Sequence, residues 1–115
     1  MSVPQVDFPL DHYELLVLKA GAKAAAMDAE TRRRLQAEHV AYLFELQRSG
    51  KLLAAGAVAS RDDSDITGLG FFALGSIDEV RALAENDPSV VAGLDAAEVL
   101  TFLSPKGSFN FPKVV

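Results

Sequence analysis

Three segments of the sequence carry apolar residues at most positions and on both parities, a pattern that strands show when both of their faces are buried. They lie at residues 51–59, 66–74 and 97–103. A sheet that carries helices on one side only should alternate apolar and polar residues, and these segments mostly do not. If one face of such a sheet were exposed, it would form a large apolar patch, and such patches usually mark interfaces or ligand grooves. The sequence therefore predicts a sheet that needs cover on both faces.

A further strand and a long helix precede these segments. The run Tyr-Glu-Leu-Leu-Val-Leu-Lys at 13–19 has strand character. Residues 29–49 carry an apolar stripe with the three-and-four spacing of a helix. Asp28 is a suitable N-cap for this helix, and Gly50 can supply the left-handed residue that commonly ends one. We expect the first helix between these two residues.

A second helix is indicated between the third and fourth strands. Ser76 and Glu79 match a capping box, in which each side chain satisfies a free backbone N–H of the first turn. Pro88 interrupts the helix, and a short helical piece is expected at 88–94. The resulting order, β-α-β-β-α-β, is that of the ferredoxin-like α+β fold. It predicts a four-stranded antiparallel sheet with two helices on one face.

The second face of this sheet needs a cover. A single domain of residues 1–115 is expected, with an extended lead-in at 1–11 and a C-terminal tail at 105–115. Two copies packing sheet to sheet would cover the face by a two-fold contact, so a homodimer is the leading expectation. In the alternative, the tail folds back over the sheet with Phe109 and Phe111.

Composition excludes several kinds of site. The chain has no cysteine, which excludes disulfides, Cys-ligated zinc, iron–sulfur clusters and thiol catalysis. A formal net charge of -5 argues against nucleic-acid binding. The basic cluster at 32–34 is interpreted as a solvated helix face, with phosphate or acidic-ligand binding as the less favoured alternative. Residues 1–11 do not resemble a secretory signal and no apolar run is long enough to span a membrane, so no membrane partner is expected and the default location is cytoplasmic.

Two residues are candidates for proton chemistry. His39 lies on the apolar stripe of the first helix, four residues after Leu35 and three before Tyr42, so it should point toward the core. Asp87 continues the inner face of the second helix. An imidazole held by a carboxylate is suited to moving a proton near neutral pH, because the carboxylate orients the ring and stabilises the imidazolium. No serine or cysteine nucleophile is evidently paired with the histidine, so proton transfer is favoured over acyl transfer.

Both candidates also have purely structural interpretations. His39 could be a core histidine bonded to a backbone carbonyl. Asp87 before Pro88 also has the pattern of an N-cap followed by a proline at the first helical position. If Asp87 instead ends the second helix, its charge meets the negative end of the helix dipole, which a protonated His39 would offset. His12 has no evident partner and is expected on the surface.

Several motifs together point to a known family. They are EHVAYL at 38–43, SGKLLAAG at 49–56, AENDP at 84–88 and AGL at 92–94. Through them the chain resembles the YCII-related family over about the central four fifths of its length, enough to indicate the fold more firmly than the function. The resemblance implies a ferredoxin-like dimer of the dimeric α+β barrel type. It also implies that His39 and Asp87 form a paired active site.

The chain departs from the family pattern at two places. Gln36 stands where an arginine is often found three residues before the histidine, and Ala57 stands where a proline often follows the glycine of the second strand. The first departure puts an anion-binding role at that position in doubt. Arg33 and Arg34 have the wrong spacing to share a helical face with His39.

Two functions remain open. The first is a small lyase or isomerase that moves a proton on a small cyclic or aromatic-derived substrate, as the family's similarity to muconolactone isomerases and to a dehydrochlorinase of a chlorinated hydroquinone implies. The second is a non-catalytic ligand-binding or protein-interaction module that uses the same pocket. No metal is expected, because His39 lacks a second ligand at helix-motif spacing, and no cofactor is expected. The pocket should lie between the first helix and the sheet, where a partner's tail could close it and make catalysis depend on the dimer.

Overall fold

The computed structural model of the protein describes residues 5–111. Four strands, three α-helices and a short 3-10 turn are found within this range. In chain order they are β1 (Leu10–Ala20), the 3-10 turn (Ala24–Ala26), α1 (Ala29–Arg48), β2 (Leu52–Ala57), β3 (Ile66–Phe72), α2 (Ile77–Glu85), α3 (Pro88–Val91) and β4 (Asp95–Pro105).

The four strands form one antiparallel sheet in the order β2-β3-β1-β4. This arrangement, with α1 and α2 packed on one face, is the ferredoxin-like architecture that the sequence predicts. The terminal pairs of the β1–β4 ladder are Leu10 with Pro105 and Ala20 with Asp95. Both strands are therefore longer than the predicted ranges of 13–19 and 97–103. Register shifts occur at Leu18/Lys19 and at Leu52/Ala54. The first shift lies beside Gly68 of β3, and a glycine inside a strand often marks such a bulge.

Local capping determines where the helices begin and end. The Asp28 side chain accepts a hydrogen bond from the Thr31 amide at 2.7 Å, as expected of an N-cap. Gly50 follows α1 with a φ of 83°, which confirms its predicted left-handed conformation. The Ser76 hydroxyl accepts from the Glu79 amide at 3.1 Å and opens α2 as predicted.

Asp87 does not end α2, contrary to one argument from the sequence. α2 ends at Glu85 with Asn86 as its C-cap, and Asp87 is the N-cap of α3. Pro88 causes this break, because its ring disfavours a helical conformation at the preceding residue and it has no N–H to donate. The carboxylate therefore lies at the positive end of a helix and not at the negative end. The dipole argument for pairing with His39 is wrong, and the N-cap interpretation is confirmed.

The apolar core lies between the sheet and the two long helices. Every strand, α1 and α2 contribute to it, with the buried side chains Leu16, Leu18, Leu46, Leu52, Phe72, Val80, Ala84 and Val99. Burial of these side chains is the main stabilising contribution to the fold. Within residues 5–111, no helix is both long and apolar enough to cross a membrane. The cytoplasmic location stays a prediction.

The opposite side of the sheet, called the outer face below, carries an aromatic cluster. It consists of Tyr13, Phe71, Phe102, Phe109 and Phe111. The rings of Phe109 and Phe111 stack with their centres 5.4 Å apart and meet the three strand residues edge-on or tilted. The tail as far as Phe111 thus folds back over the sheet, the alternative that the sequence left open. The cover is partial, because Leu100 on the same face is 42% exposed.

Candidate functional site

His39 and Asp87 meet although 48 positions separate them in the sequence. The imidazole Nδ1 and the Asp87 Oδ2 are 2.5 Å apart, a short hydrogen bond between groups that can both be charged. The side chain of Asp87 is only 2% exposed and that of His39 is 15% exposed. The histidine is thus the member of the pair that solvent or a ligand can reach. Its bond to a carboxylate rules out the predicted alternative of a core histidine held by a backbone carbonyl.

The two carboxylate oxygens of Asp87 have different hydrogen-bond partners. Oδ1 accepts hydrogen bonds from the backbone N–H and the hydroxyl of Ser89, each at 3.0 Å. Oδ2 is thereby left for His39. One carboxylate therefore both caps α3 and binds the imidazole of His39. Ser89 is fully buried and its Oγ also lies 3.4 Å from the His39 Nδ1, a neighbour that the sequence did not reveal.

The environment of His39 favours its protonated form. The hydrogen bond with Asp87 raises the pKa of the imidazole above its ordinary value, although burial of the ring acts in the opposite direction. The negative charges of Asp87 and Asp95 add to the increase. In the neutral ring, Nδ1–H donates to Asp87 and the lone pair lies on Nε2. Nε2 has no hydrogen-bond partner among residues 5–111, so it is the ring atom left for a ligand.

Tyr42 fixes the helix that carries His39. Its hydroxyl donates to the carbonyl of Leu83 at 2.7 Å and so joins α1 to α2. Burial raises the pKa of this hydroxyl, and the charge of Asp87 contributes to the increase. Tyr42 therefore stays a neutral donor at physiological pH. The bond holds α1 in register with the segment that carries Asp87.

A cavity of about 280 Å³ opens between α1 and the sheet, where the sequence predicts it. His39 lies on its wall, whereas Asp87 and Ser89 do not. Small residues of β2 and β3, including Ala55, Gly68 and Gly70, leave the space open on the sheet side. A Cβ atom at Gly70 would lie 3.3 Å from the Leu52 side chain, so even an alanine would crowd this wall.

The polar lining of the cavity contains residues that the sequence did not single out. Besides His39 it includes Gln36, Gln47, Thr67 and Asp95. No local sequence pattern identifies Asp95 as a residue of the cavity. It comes near α1 only because β4 pairs with β1 in the sheet. Gln36, one of the two departures from the family pattern, does line the cavity.

The basic cluster and His12 lie elsewhere. Arg32, Arg33 and Arg34 are all exposed, and Arg34 pairs with Glu38 at 3.2 Å on the solvent side of α1. This agrees with the predicted solvated face. His12 is also exposed, as expected.

Comparison with known proteins agrees with this fold. Residues 14–103 match the model of the YCII-related domain. A solved structure of 5-chloro-2-hydroxyhydroquinone dehydrochlorinase (TftG) from Burkholderia phenoliruptrix AC1100, in complex with 2,5-dihydroxybenzoquinone, is 25% identical with a TM-score of 0.53. That similarity covers 78% of this chain and 90% of the dehydrochlorinase chain.

A second solved structure is more distant. It is assigned as an antibiotic biosynthesis monooxygenase from Chloroflexus aurantiacus J-10-fl and is 17% identical with a TM-score of 0.45, over 89% of this chain and 100% of the other. No curated protein sequence matches significantly. The family match spans most of the chain and coincides with the ferredoxin-like fold described above. The chain therefore belongs to the YCII-related domain family.

Proposed function

We propose that this protein is a small lyase or isomerase that moves a proton on a small cyclic or aromatic-derived substrate. His39 is the general acid–base, acting through Nε2, and Asp87 is the residue that holds it. The observation that carries this proposal is the 2.5 Å bond between His39 Nδ1 and Asp87 Oδ2 on a histidine that lines a cavity. Such a pair is the arrangement that general acid–base catalysis requires.

The proposed step conserves protons and electrons. A substrate in the cavity gives one proton to the lone pair of Nε2, and the electrons of the broken bond form a new double bond in the substrate. In a lyase a leaving group departs with its own electron pair; in an isomerase the proton returns to a different atom. Asp87 stabilises the imidazolium that forms between the two events.

The comparison with the dehydrochlorinase supports this chemistry. Its name describes removal of hydrogen chloride, and the compound in its structure has a single ring. A cavity of about 280 Å³ lies near the lower end of small-molecule sites, which suits a compound of that size. The similarity includes nearly the whole dehydrochlorinase chain.

A substrate screen with matched histidine variants tests the proposal. Purified protein is offered 5-chloro-2-hydroxyhydroquinone, with chloride release as the readout, and small lactones and hydroxyquinones, with absorbance as the readout. His39→Gln should lose at least about 100-fold in rate, which is what an acid–base group typically contributes. His12→Gln replaces the exposed histidine and should retain the wild-type rate. Equal turnover by wild type and His39→Gln would exclude the role proposed for His39.

One observation favours a second function, a non-catalytic ligand-binding module. Asp87 and Ser89 lie outside the cavity lining, so His39 is the only member of its cluster that a ligand would contact. Calorimetry separates the two functions. Binding of a hydroxyquinone that depends on His39, without turnover of any compound in the screen, would favour the binding module.

We also propose that two copies associate through the outer face of the sheet. Leu100 is 42% exposed there, and Leu15 and Leu69 are only partly buried. These side chains lie on the parity of β1, β3 and β4 that faces away from α1 and α2. Association would remove them from water, which supplies a favourable free energy.

A further inference from the structure

Within the described part of the chain, the polar residues that line the cavity include an acidic side chain that no basic side chain of the lining balances. Asp95 is the only carboxylate in the lining formed by residues 5–111, and no lysine or arginine lines the cavity there. The other polar groups are the amides of Gln36 and Gln47 and the hydroxyl of Thr67. The charge of His39, when it is protonated, is already matched by Asp87. The net charge that a ligand meets is therefore that of Asp95.

Asp95 is well placed to contact a ligand. It is the first residue of β4, opposite Ala20 of β1, and its side chain is half-buried. Its Oδ1 accepts a long hydrogen bond of 3.4 Å from the Thr67 hydroxyl, and Oδ2 has no hydrogen-bond partner among the described residues. No Lys or Arg of residues 5–111 forms an ion pair with it. Its charge nevertheless reaches His39, because it contributes to the raised pKa of the imidazole.

We propose that Asp95 determines the specificity of this cavity by selecting uncharged rings that carry hydroxyl groups and rejecting rings that carry a carboxylate. The inference rests on the proposed function, since it takes the His39 cavity as the substrate site. A carboxylate oxygen accepts a hydrogen bond from a ligand hydroxyl and repels a second carboxylate. No lysine or arginine among residues 5–111 lines the cavity, and a protonated His39 is already paired with Asp87. The repulsion from Asp95 is therefore not offset, and desolvating the charge of an anionic ring is unfavourable.

The placement also orients the ligand. One hydroxyl is held at Asp95, at the end of β4, while another part of the ring meets Nε2 of His39 on α1. A lactone bearing a carboxylate fits this charge pattern poorly, whereas a polyhydroxylated benzene fits it. The inference thus narrows the proposed substrates to neutral hydroxylated rings.

Two related rings test the charge selection by calorimetry. They are 1,2,4-trihydroxybenzene, which is neutral at pH 7 and is kept from oxidation under anaerobic conditions, and 2,5-dihydroxybenzoate, which carries a carboxylate. Wild type should bind the neutral ring more tightly, and Asp95→Asn should reduce the preference by about tenfold, as expected for removing one nearby charge. The preference should fall because Asp95→Asn binds 2,5-dihydroxybenzoate more tightly than wild type does. Glu98→Gln is the matched control, because Glu98 lies on the same strand but pairs with Lys19 on the outer face.

The inference is overturned if Asp95→Asn keeps the wild-type preference, if wild type prefers the benzoate, or if neither ring binds wild type. An NMR titration of the His39 imidazole gives a readout that needs no ligand. Asp95→Asn should lower the pKa of His39. An unchanged titration would mean that the charge of Asp95 does not reach His39 across the cavity, and it would count against the proposal.

Failure of the specificity role of Asp95 can be distinguished from failure of the proposed enzymatic function. A preference that changes in Asp95→Asn, with no turnover of any compound, supports the specificity role and counts against the enzyme. Turnover that requires His39, with a preference unaffected by Asp95→Asn, supports the enzyme and overturns the specificity role.

Discussion

At the scale of single residues, the candidate site depends on one carboxylate shared between a helix cap and an imidazole. Oδ1 of Asp87 holds the first turn of α3 and Oδ2 holds His39. Because the cap orients the carboxylate before any ligand arrives, the imidazole is fixed without further reorganisation. Such pre-organisation is what the proposed proton transfer would need.

The first prediction concerns the pH dependence of stability. The pKa of His39 is raised in the folded protein, so its protonated form stabilises the fold. That contribution is fully present below the ordinary pKa of histidine and is lost as the pH rises through the raised value. The unfolding free energy of wild type relative to His39→Gln should therefore fall as the pH increases from about 5 to about 9. Urea denaturation across this range measures the difference.

The control for this prediction is the other histidine. His12 is exposed, so His12→Gln should change the unfolding free energy by no more than about 0.5 kcal/mol. A constant difference between wild type and His39→Gln across the range would show that the Asp87 bond does not favour the charged ring.

A second prediction concerns Ser89, which positions Asp87. Ser89→Ala removes the hydroxyl bond to Oδ1 but keeps the backbone bond, so the cap is weakened and not lost. We expect destabilisation of about 1 kcal/mol, the usual contribution of one hydrogen bond. The His39 pKa should change as well, since the carboxylate loses a donor that orients it. NMR titration checks this, and Ser108→Ala at an exposed serine provides the control.

The two residues of the pair could be predicted because each has a local signal. His39 interrupts an apolar helical stripe, and Asp87 precedes a proline. Ser89 and Asp95 could not, since nothing near them in the sequence differs from an ordinary surface residue. Their roles arise only when α3 packs on α1 and when β4 pairs beside β1.

At the scale of elements, the starts of the helices and the end of α1 were predicted well, whereas the ends of α2 and α3 and the strand ends were not. α3 ends at Val91 and not at residue 94. Caps such as Asp28 and Gly50 act through bonds within a few residues, so the sequence contains their signal. Strand ends depend on a distant partner. Residues 10–12 extend β1 by pairing with residues 103–105 of β4, although Asp11 and His12 are polar.

A third prediction concerns the connection between β3 and α2. Glu14 of β1 is 6% exposed, and its Oε1 accepts hydrogen bonds from the amides of Leu74 and Gly75. Glu14→Ala would leave two amides without this acceptor, and a loss of about 2 kcal/mol or more is expected for bonds to a charged group. Glu14→Gln keeps an oxygen acceptor and should lose less. Urea denaturation measures both variants.

The control is an exposed glutamate of the same sheet. Glu98 pairs with Lys19 at 3.1 Å while 49% exposed, so Glu98→Ala should change the unfolding free energy by less than about 1 kcal/mol. Similar losses in Glu14→Ala and Glu98→Ala would argue against an anchoring role for Glu14.

At the scale of the whole molecule, the structure of residues 5–111 shows one cover for the outer face, and it is the tail. The tail covers one end of the outer face with Phe109 and Phe111, where it meets Tyr13 and Phe71. The sequence could not decide whether the tail or a partner copy covers the outer face. Apolar residues at 109 and 111 are compatible with both arrangements. Residues 112–115 lie outside the described part of the chain.

The fourth prediction concerns the part of the outer face that the tail does not cover. If two copies associate through the outer face, Leu100→Glu places a charge in the contact and should convert a dimer to a monomer at micromolar concentration. The fold should persist, because Leu100 is already 42% exposed within one chain. Light scattering coupled to size-exclusion chromatography measures the mass. Val91→Glu is the matched control, since Val91 is 71% exposed on α3 and should leave the mass unchanged.

The same variants test whether catalysis depends on association. The His39 cavity opens between α1 and the sheet, on the side away from the outer face, so the chemistry of the imidazole needs no group from the outer face. A monomeric Leu100→Glu that keeps its activity would mean that each chain carries a complete site. A monomer that folds but loses activity would mean that the partner closes the cavity, as the sequence first suggested. A monomeric wild type would exclude the proposed dimer, and the tail would then be the cover that the apolar sheet requires.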